Sequence, residues 1–248
     1  MSKILQHSLP YDPMGPRALP GILPLEPRDW LIRDEAFDGQ MAERDRLLRV
    51  ARGDVVAMDE TARPAARELL DLVLGLAYPG AGSRVTRPDG VTVGIERDDP
   101  LGTLGRLIQE DLCILQKTGK ASNAAHVMTG AVLCFPASWT LAEKFMAPLV
   151  AIHASVRGYD ASIAARVQRL FDGVQPGRPL WRFNALWYDK PDLYQPRSIN
   201  DPEVTHDEVN APYLRSERQS IVRLPQTGAV IFSIHTYVLA RAAVALGP

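Results

Sequence analysis

The sequence predicts an α+β fold, with an antiparallel sheet carrying helices on one face and a helical extension ahead of it. Three observations predict it. The first third of the chain is helical in its apolar spacing. Strand-like runs gather later, at residues 125–136, 180–188 and 216–237. Strand and helix do not alternate regularly, and no glycine-rich phosphate loop is present, so a doubly wound α/β fold lacks support.

Residues 1–36 hold Pro10, Pro13, Pro16, Pro20, Pro24 and Pro27. Proline fixes φ and supplies no N–H, so this segment reads as an extended arm. Ile4, Leu5, Leu19, Ile22, Leu23, Leu25 and Trp30 predict that the arm lies along the body. Residues 37–248 read as a single domain. Its first helix, 37–51, places Phe37, Met41 and Leu48 near one face. The second, 62–77, sets Ala62, Ala65, Ala66, Leu69, Leu70, Val73, Leu76 and Ala77 at helical spacing. Pro79-Gly80 ends it. Pro88-Asp89-Gly90 between Val85-Thr86 and Val91-Thr92-Val93 predicts a small hairpin.

The spacing of Leu104, Leu107, Ile108 and Leu115 predicts a helix over 103–116, with Asp111 on its apolar face. Residues 125–136 read as one long strand or a strand pair. Thr140-x-x-Glu143 reads as a capping box opening a helix that Pro148 divides. Asp160 caps a further helix bearing Ile163, Val167, Leu170, Phe171 and Val174. Residues 180–188 are an aromatic strand, 195–212 a long polar loop, and 216–237 two strands joined by a turn.

Composition narrows the function. Of 248 residues, 46% are apolar and 23% charged, the profile of an ordinary globular protein. A formal net charge of -1 argues against a polyanion-binding surface spread over the fold. Cys113 and Cys134 form no C-x-x-C pair, so a zinc or dithiol site is not expected. No secretory signal and no apolar run of about 18 residues is visible, so the expected compartment is the cytoplasm. Hydrolase, zincin and nucleotide-loop motifs are all missing.

Several polar residues sit in apolar settings. His153 ends the apolar run 148–152 and precedes Ala154-Ser155-Val156. That setting suits a half-buried core histidine, and it equally suits an axial ligand to haem iron. Strand alternation puts His235 with Ile231, Ser233 and Tyr237, opposite Val230, Phe232, Ile234 and Thr236. The second set is the better core face, so His235 points to solvent, a covering element or a pocket. Arg215, Glu217, Gln219 and Arg223 share one face of the preceding strand. Arg218 lies on the other face with Ser220, Val222 and Leu224, and it could hold a carboxylate such as a haem propionate. A ladder of surface charge pairs is the plainer reading of this strand. Glu110 and Asp111 are a second candidate, or else structural acids.

Six segments in order then resemble the alpha subunit of haem-dependent oxidative N-demethylase. They are Gln109-Glu110-Asp111-Leu112, Cys134-Phe135-Pro136-Ala137-Ser138-Trp139, Glu143-Lys144, Ile152-His153-Ala154-Ser155-Val156, Arg182-Phe183-Asn184, and Glu217-Arg218-Gln219 through Thr236-Tyr237. The resemblance spans about residues 20 to 240. Ala185 stands where the family commonly has tryptophan, and His235 where arginine is frequent.

The resemblance implies a haem-binding PAS-like domain. It implies oxidation of a small secondary amine by dioxygen, yielding a primary amine and formaldehyde. One b-type haem is the expected cofactor. The chain has no cluster cysteines and no flavin signature, so electrons from NADPH would come through a partner flavin/iron–sulfur reductase. His153 is the expected iron ligand, ahead of His235 and then Cys134. Arg218 and Arg223 are expected near propionates or the distal side. Glu217, Asn184 and Tyr159 are expected to orient the amine or bound oxygen. The alternative expectations are a haem-based gas or redox sensor, and a PAS-like interaction domain without haem.

Overall fold

The computed structural model describes residues 3–15, 21–119, 124–152, 161–202 and 207–244. Its elements in chain order begin with β1 (Leu23–Pro24), α1 (Phe37–Val50), α2 (Arg52–Val55), β2 (Val56–Met58) and α3 (Arg63–Ala77). The hairpin β3 (Arg84–Thr86) and β4 (Thr92–Gly94), α4 (Pro100–Gly105), β5 (Asp111–Thr118) and β6 (Ala125–Val132) follow. Then come α5 (Leu141–Lys144), α6 (Leu149–Ile152), α7 (Ala161–Gly173), β7 (Leu180–Tyr188), β8 (Tyr213–Arg223), β9 (Val230–Ala240) and α8 (Arg241–Val244).

Seven strands form one sheet in the order β1-β7-β8-β9-β5-β6-β2, with every pairing antiparallel. The fold is α+β. Alternating residues of the central strands feed two separate cores. Leu112, Ile114, Val222 and Ile231 pack on one side with Leu48 of α1, Leu69, Leu70 and Val73 of α3, and Leu101 and Leu104 of α4. Cys113, Leu115, Ile221, Val230 and Ile234 pack on the other with Leu141 of α5, Leu149 and Ile152 of α6, and Phe171 of α7. The N-terminal helices therefore roof the first face, and α5–α7 roof the second. Among the described residues no helix is long and apolar enough to cross a membrane.

The helix expected over 103–116 is corrected. Asp99 caps α4 by accepting from Gly102 N, and the helix stops at Gly105. A Cβ at Gly105 would lie 2.7 Å from Val132 Cγ2, so only glycine lets the chain pass so close to β6. Residues 111–118 are then a strand, not helix. β5 lies between β9 and β6 and is buried on both faces, so its sequence shows an apolar run with no alternation. Periodicity alone does not separate such a run from a buried helix.

Glu110 and Asp111 accordingly sit at the head of a central strand. Asp111 receives Arg44 Nη1 at 2.7 Å, Cys134 N at 2.7 Å and Phe135 N at 2.8 Å. Arg44 is fully buried and also donates to the carbonyls of Gly105, Gln109 and Glu110. Asp111 is thus a structural acid that holds α1 onto the sheet.

The proline-rich arm does lie along the body. Gln6 N donates to Val238 O at 2.9 Å, and β1 pairs with β7 at Trp181. The Thr140 side chain makes no cap bond on α5. Glu143 instead accepts from Ser198 Oγ at 2.6 Å and Ile199 N at 3.0 Å, tying α5 to the long polar loop. The division of the helix at Pro148 is present, as α5 and α6. Asp160, the expected cap of α7, lies outside the described residues.

Candidate functional site

Strand β8 carries opposite chemistry on its two faces. Its register with β9 sets Arg218 against His235, Ser216 against Tyr237 and Glu217 against Thr236. Its register with β7 sets Asn184 against Glu217 and Phe183 against Arg218. Directly paired residues share a face, so His235, Arg218 and Tyr237 belong to the first face. Glu217, Asn184 and Thr236 belong to the second.

On the first face His235 is 1% exposed and clasped at both nitrogens. Nδ1 is 3.2 Å from Glu110 Oε1, and Nε2 is 3.0 Å from Asp34 Oδ2. Burial alone would lower the imidazole pKa, but hydrogen bonds and charge from Asp34 and Glu110 outweigh it and raise the value to about 9. Asp34 is pushed down to about 2: burial raises it, and His235, Gln109 and Gln6 more than reverse that. Asp34 belongs to the arm, so His235 fastens the arm to the sheet. Both ring nitrogens of His235, the second-choice iron ligand, are thus engaged by carboxylates in this structure.

Arg218 donates from Nη1 to Trp30 O at 3.2 Å and from Nη2 to Asp29 O at 2.9 Å. It lies over the Trp181 ring, 5.0 Å from the centroid. Arg223 closes the end of α7, donating to the carbonyls of Phe171, Asp172 and Val174 and to Gly228 O. The two arginines are spent on backbone at opposite faces, and neither pairs with Asp111.

The second face gathers a different set. Asn184 Nδ2 and Gln219 Nε2 each donate to Glu217 Oε2 at 3.2 Å, and Glu217 N donates to Asn184 Oδ1 at 3.1 Å. Oε1 faces Arg215 Nε at 3.6 Å, beyond hydrogen-bond reach. Arg215 Nε and Thr236 Oγ1 are buried with no hydrogen-bond partner among the described residues. Lys144 completes the group, with Nζ 4.2 Å from the centroid of the Trp139 ring. Burial pushes its amine down to about 8, against the opposing pull of Cys113, Glu217 and Glu143.

Two non-glycine residues of positive φ, Ser138 at 64° and Met146 at 60°, flank the segment that carries Trp139 and Lys144. Such backbone is retained where its surroundings over-determine it, commonly around sites. Ile152, the last residue of α6, is buried in the core beneath this same face. His153 and Tyr159 lie outside the described residues.

A family description, "Haem-dependent oxidative N-demethylase, alpha subunit-like", matches residues 21–245. The chain belongs to this family. Haem dependence and oxidoreductase chemistry come with membership of the N-demethylase alpha-subunit-like family. The question for this family member is whether its residues suit haem.

Haem needs an apolar slot, polar partners for two propionates and an axial donor. On the second face Leu149, Ile152 and Phe171 are buried apolar core residues. Arg215 donates to Leu193 O and Phe135 O, and its Nε is a buried donor without an acceptor among the described residues. The axial donor is not among the described residues of this face. His126 accepts from Gln168 Nε2 at 2.9 Å through Nδ1, which leaves its proton on Nε2. Burial pushes the Cys113 and Cys134 thiols up to about 12. The described residues of this face thus offer apolar surroundings and one spare guanidinium N–H, and no iron ligand is identified among them.

Sequence reasoning placed Glu217 and Asn184 correctly on one strand pair. It also put Arg215 and Gln219 on the face of Glu217, and it missed Lys144 and Thr236 as neighbours. Glu143-Lys144 was visible as a motif, but nothing local signals that Lys144 folds back over Trp139 toward Glu217.

Proposed function

We propose that this chain is the haem-bearing component of an oxidative N-demethylase acting on a small secondary amine. Dioxygen is the oxidant, and a partner flavin/iron–sulfur reductase relays electrons from NADPH. The products are the primary amine and formaldehyde. The observation that carries the reading is the half-buried Glu217 carboxylate, held by Asn184 and Gln219 on the face where α6 ends.

In this reading His153 ligates the iron and Arg215 faces a propionate. Haem supplies the oxidising chemistry when bound. The protein supplies the rest. Glu217 Oε1 accepts a hydrogen bond from the substrate ammonium, while Asn184 and Gln219 fix Oε2 so that the carboxylate does not rotate. An amine must lose a proton before its nitrogen can donate electrons. Lys144, at a pKa of about 8, is half-deprotonated in mildly alkaline solution and can take that proton through Glu217. Trp139 covers the Lys144 amine and limits water around it. Tyr159 is in this reading a hydroxyl donor that orients the amine.

The test is direct. Protein expressed with a haem precursor should show a Soret band that His153→Ala shifts or removes. Chemically reduced protein, exposed to dioxygen with a panel of methylated amines, should release formaldehyde in a single turnover. A haem protein that binds oxygen stably and yields formaldehyde from no amine would favour the sensor reading. Haem content unchanged in His153→Ala would remove the ligand assignment.

A further inference from the structure

A second chamber lies on the opposite side of the sheet from Glu217. Its volume is about 540 Å³, and it opens between the arm and the first face. Its walls include Tyr11 and Leu31 from the arm, with Asp34 at its edge, and Trp181, Arg218 and Tyr237 from the sheet. The size falls in the usual range for a small-molecule site.

Two groups of its floor have hydrogen-bonding capacity to spare. Tyr237 is 2% exposed, and its hydroxyl donates no hydrogen bond among the described residues. Burial raises its pKa, so the phenol keeps its proton. Arg218 is 8% exposed and is in no ion pair among the described residues. Its bonds to Asp29 O and Trp30 O use two of five N–H groups.

The walls are aromatic. Tyr11 stacks on Phe183 with ring centroids 4.0 Å apart, tilts against Trp181 at 5.7 Å and meets Tyr237 edge-on at 6.0 Å. The buried formal charges nearby cancel, with Arg218 and His235 set against Asp34 and Glu110. A charged ligand would break that balance in a low-dielectric setting, so a neutral ligand suits it best.

We propose that this chamber binds a neutral, flat aromatic amide or lactam. The ring lies against Trp181 and Tyr11, and the carbonyl oxygen accepts from the Tyr237 hydroxyl and an unused Arg218 N–H. The site does not depend on haem, which the proposed function assigns to the other face.

Three probes of like shape and different charge test it: benzamide, benzoate and benzylamine, each titrated into the full chain and followed by saturation-transfer NMR. Benzamide should bind saturably at millimolar or lower concentration and at least about 5-fold tighter than either charged probe. Tyr237→Phe keeps the ring and removes only the hydroxyl, so it should weaken benzamide by about 5-fold, the worth of one hydrogen bond. Trp181→Leu should abolish binding while the fold, read by circular dichroism, is kept. Preference for benzoate or benzylamine, binding unaffected by both substitutions, or no saturable binding would each overturn the proposal.

Discussion

The two faces of β8 spend their charged side chains differently. On the first face His235 lies between two carboxylates, and nearby Arg44 meets Asp111 and donates to three backbone carbonyls. On the second face Glu217 has one oxygen held and the other unsatisfied, beside a buried Arg215 Nε and Thr236 Oγ1 that lack partners. Both faces also keep buried polar atoms without a hydrogen-bond partner among the described residues, Glu110 Oε2 and Trp30 Nε1 on the first and Arg215 Nε and Thr236 Oγ1 on the second. The faces differ in how charge is paired: the first-face carboxylates Asp34 and Glu110 both meet His235, while Glu217 on the second has Arg215 Nε only at 3.6 Å.

The comparison can be broken most forcefully at Arg44. Arg44→Met leaves Asp111 buried without its counter-charge and should cost about 3–5 kcal/mol, measured by urea unfolding. A loss below 1 kcal/mol would mean that the first-face network does not hold α1 to the sheet.

A smaller effect is expected from pH. The folded pKa of His235 lies above its unfolded value, so its contribution is complete below about 6.5 and is lost as pH rises through about 9. The folded pKa of Asp34 is depressed, so its contribution is complete above about 4 and is lost as pH falls toward about 2. Thermal stability should therefore form a plateau near pH 4–6.5 and decline on the alkaline side. His235→Gln should lower the plateau and flatten that alkaline decline. An unchanged alkaline slope in the variant would assign the titration elsewhere.

The smallest effect on stability, and the largest on chemistry, should come from Glu217→Gln. The side chain is isosteric and keeps an oxygen for Asn184. Unfolding should move by less than about 1 kcal/mol, while the concentration of amine needed to perturb the haem spectrum should rise at least about 10-fold. If stability collapses instead, Glu217 belongs to the scaffold, and the contrast between the faces is lost.

Much of this contrast could be read from the sequence, and the rest could not for physical reasons. The 62–77 helix and the strand pair 216–237 were legible because one face of each repeats at a fixed period. The opposition of Arg218 to Glu217 followed from the same two-residue period. β5 was not legible, because a strand covered on both sides has no polar face to mark its period. β2 is only three residues long and follows α2 directly, too short for any pattern. The clasp on His235 joins residues 34, 110 and 235, and no local signal encodes a meeting across 201 positions. The fate of Arg223 was equally hidden, since the α7 carbonyls that it closes lie about fifty residues earlier.

The position of β9 in the strand order has a consequence for how the chain matures. It follows every other strand in sequence, yet it lies at the middle of the sheet, between β8 and β5. During synthesis the β5–β6 pair and the β7–β8 pair can each form, but each presents a bare inner edge until β9 has left the ribosome. Such edges are templates for wrong pairing. The arm waits as well, since Gln6 finds its partner at Val238 on β9. Assembly of this sheet is thus held until β9 has been made. A nascent chain stalled before residue 230 should depend on chaperones in a way that the finished chain does not.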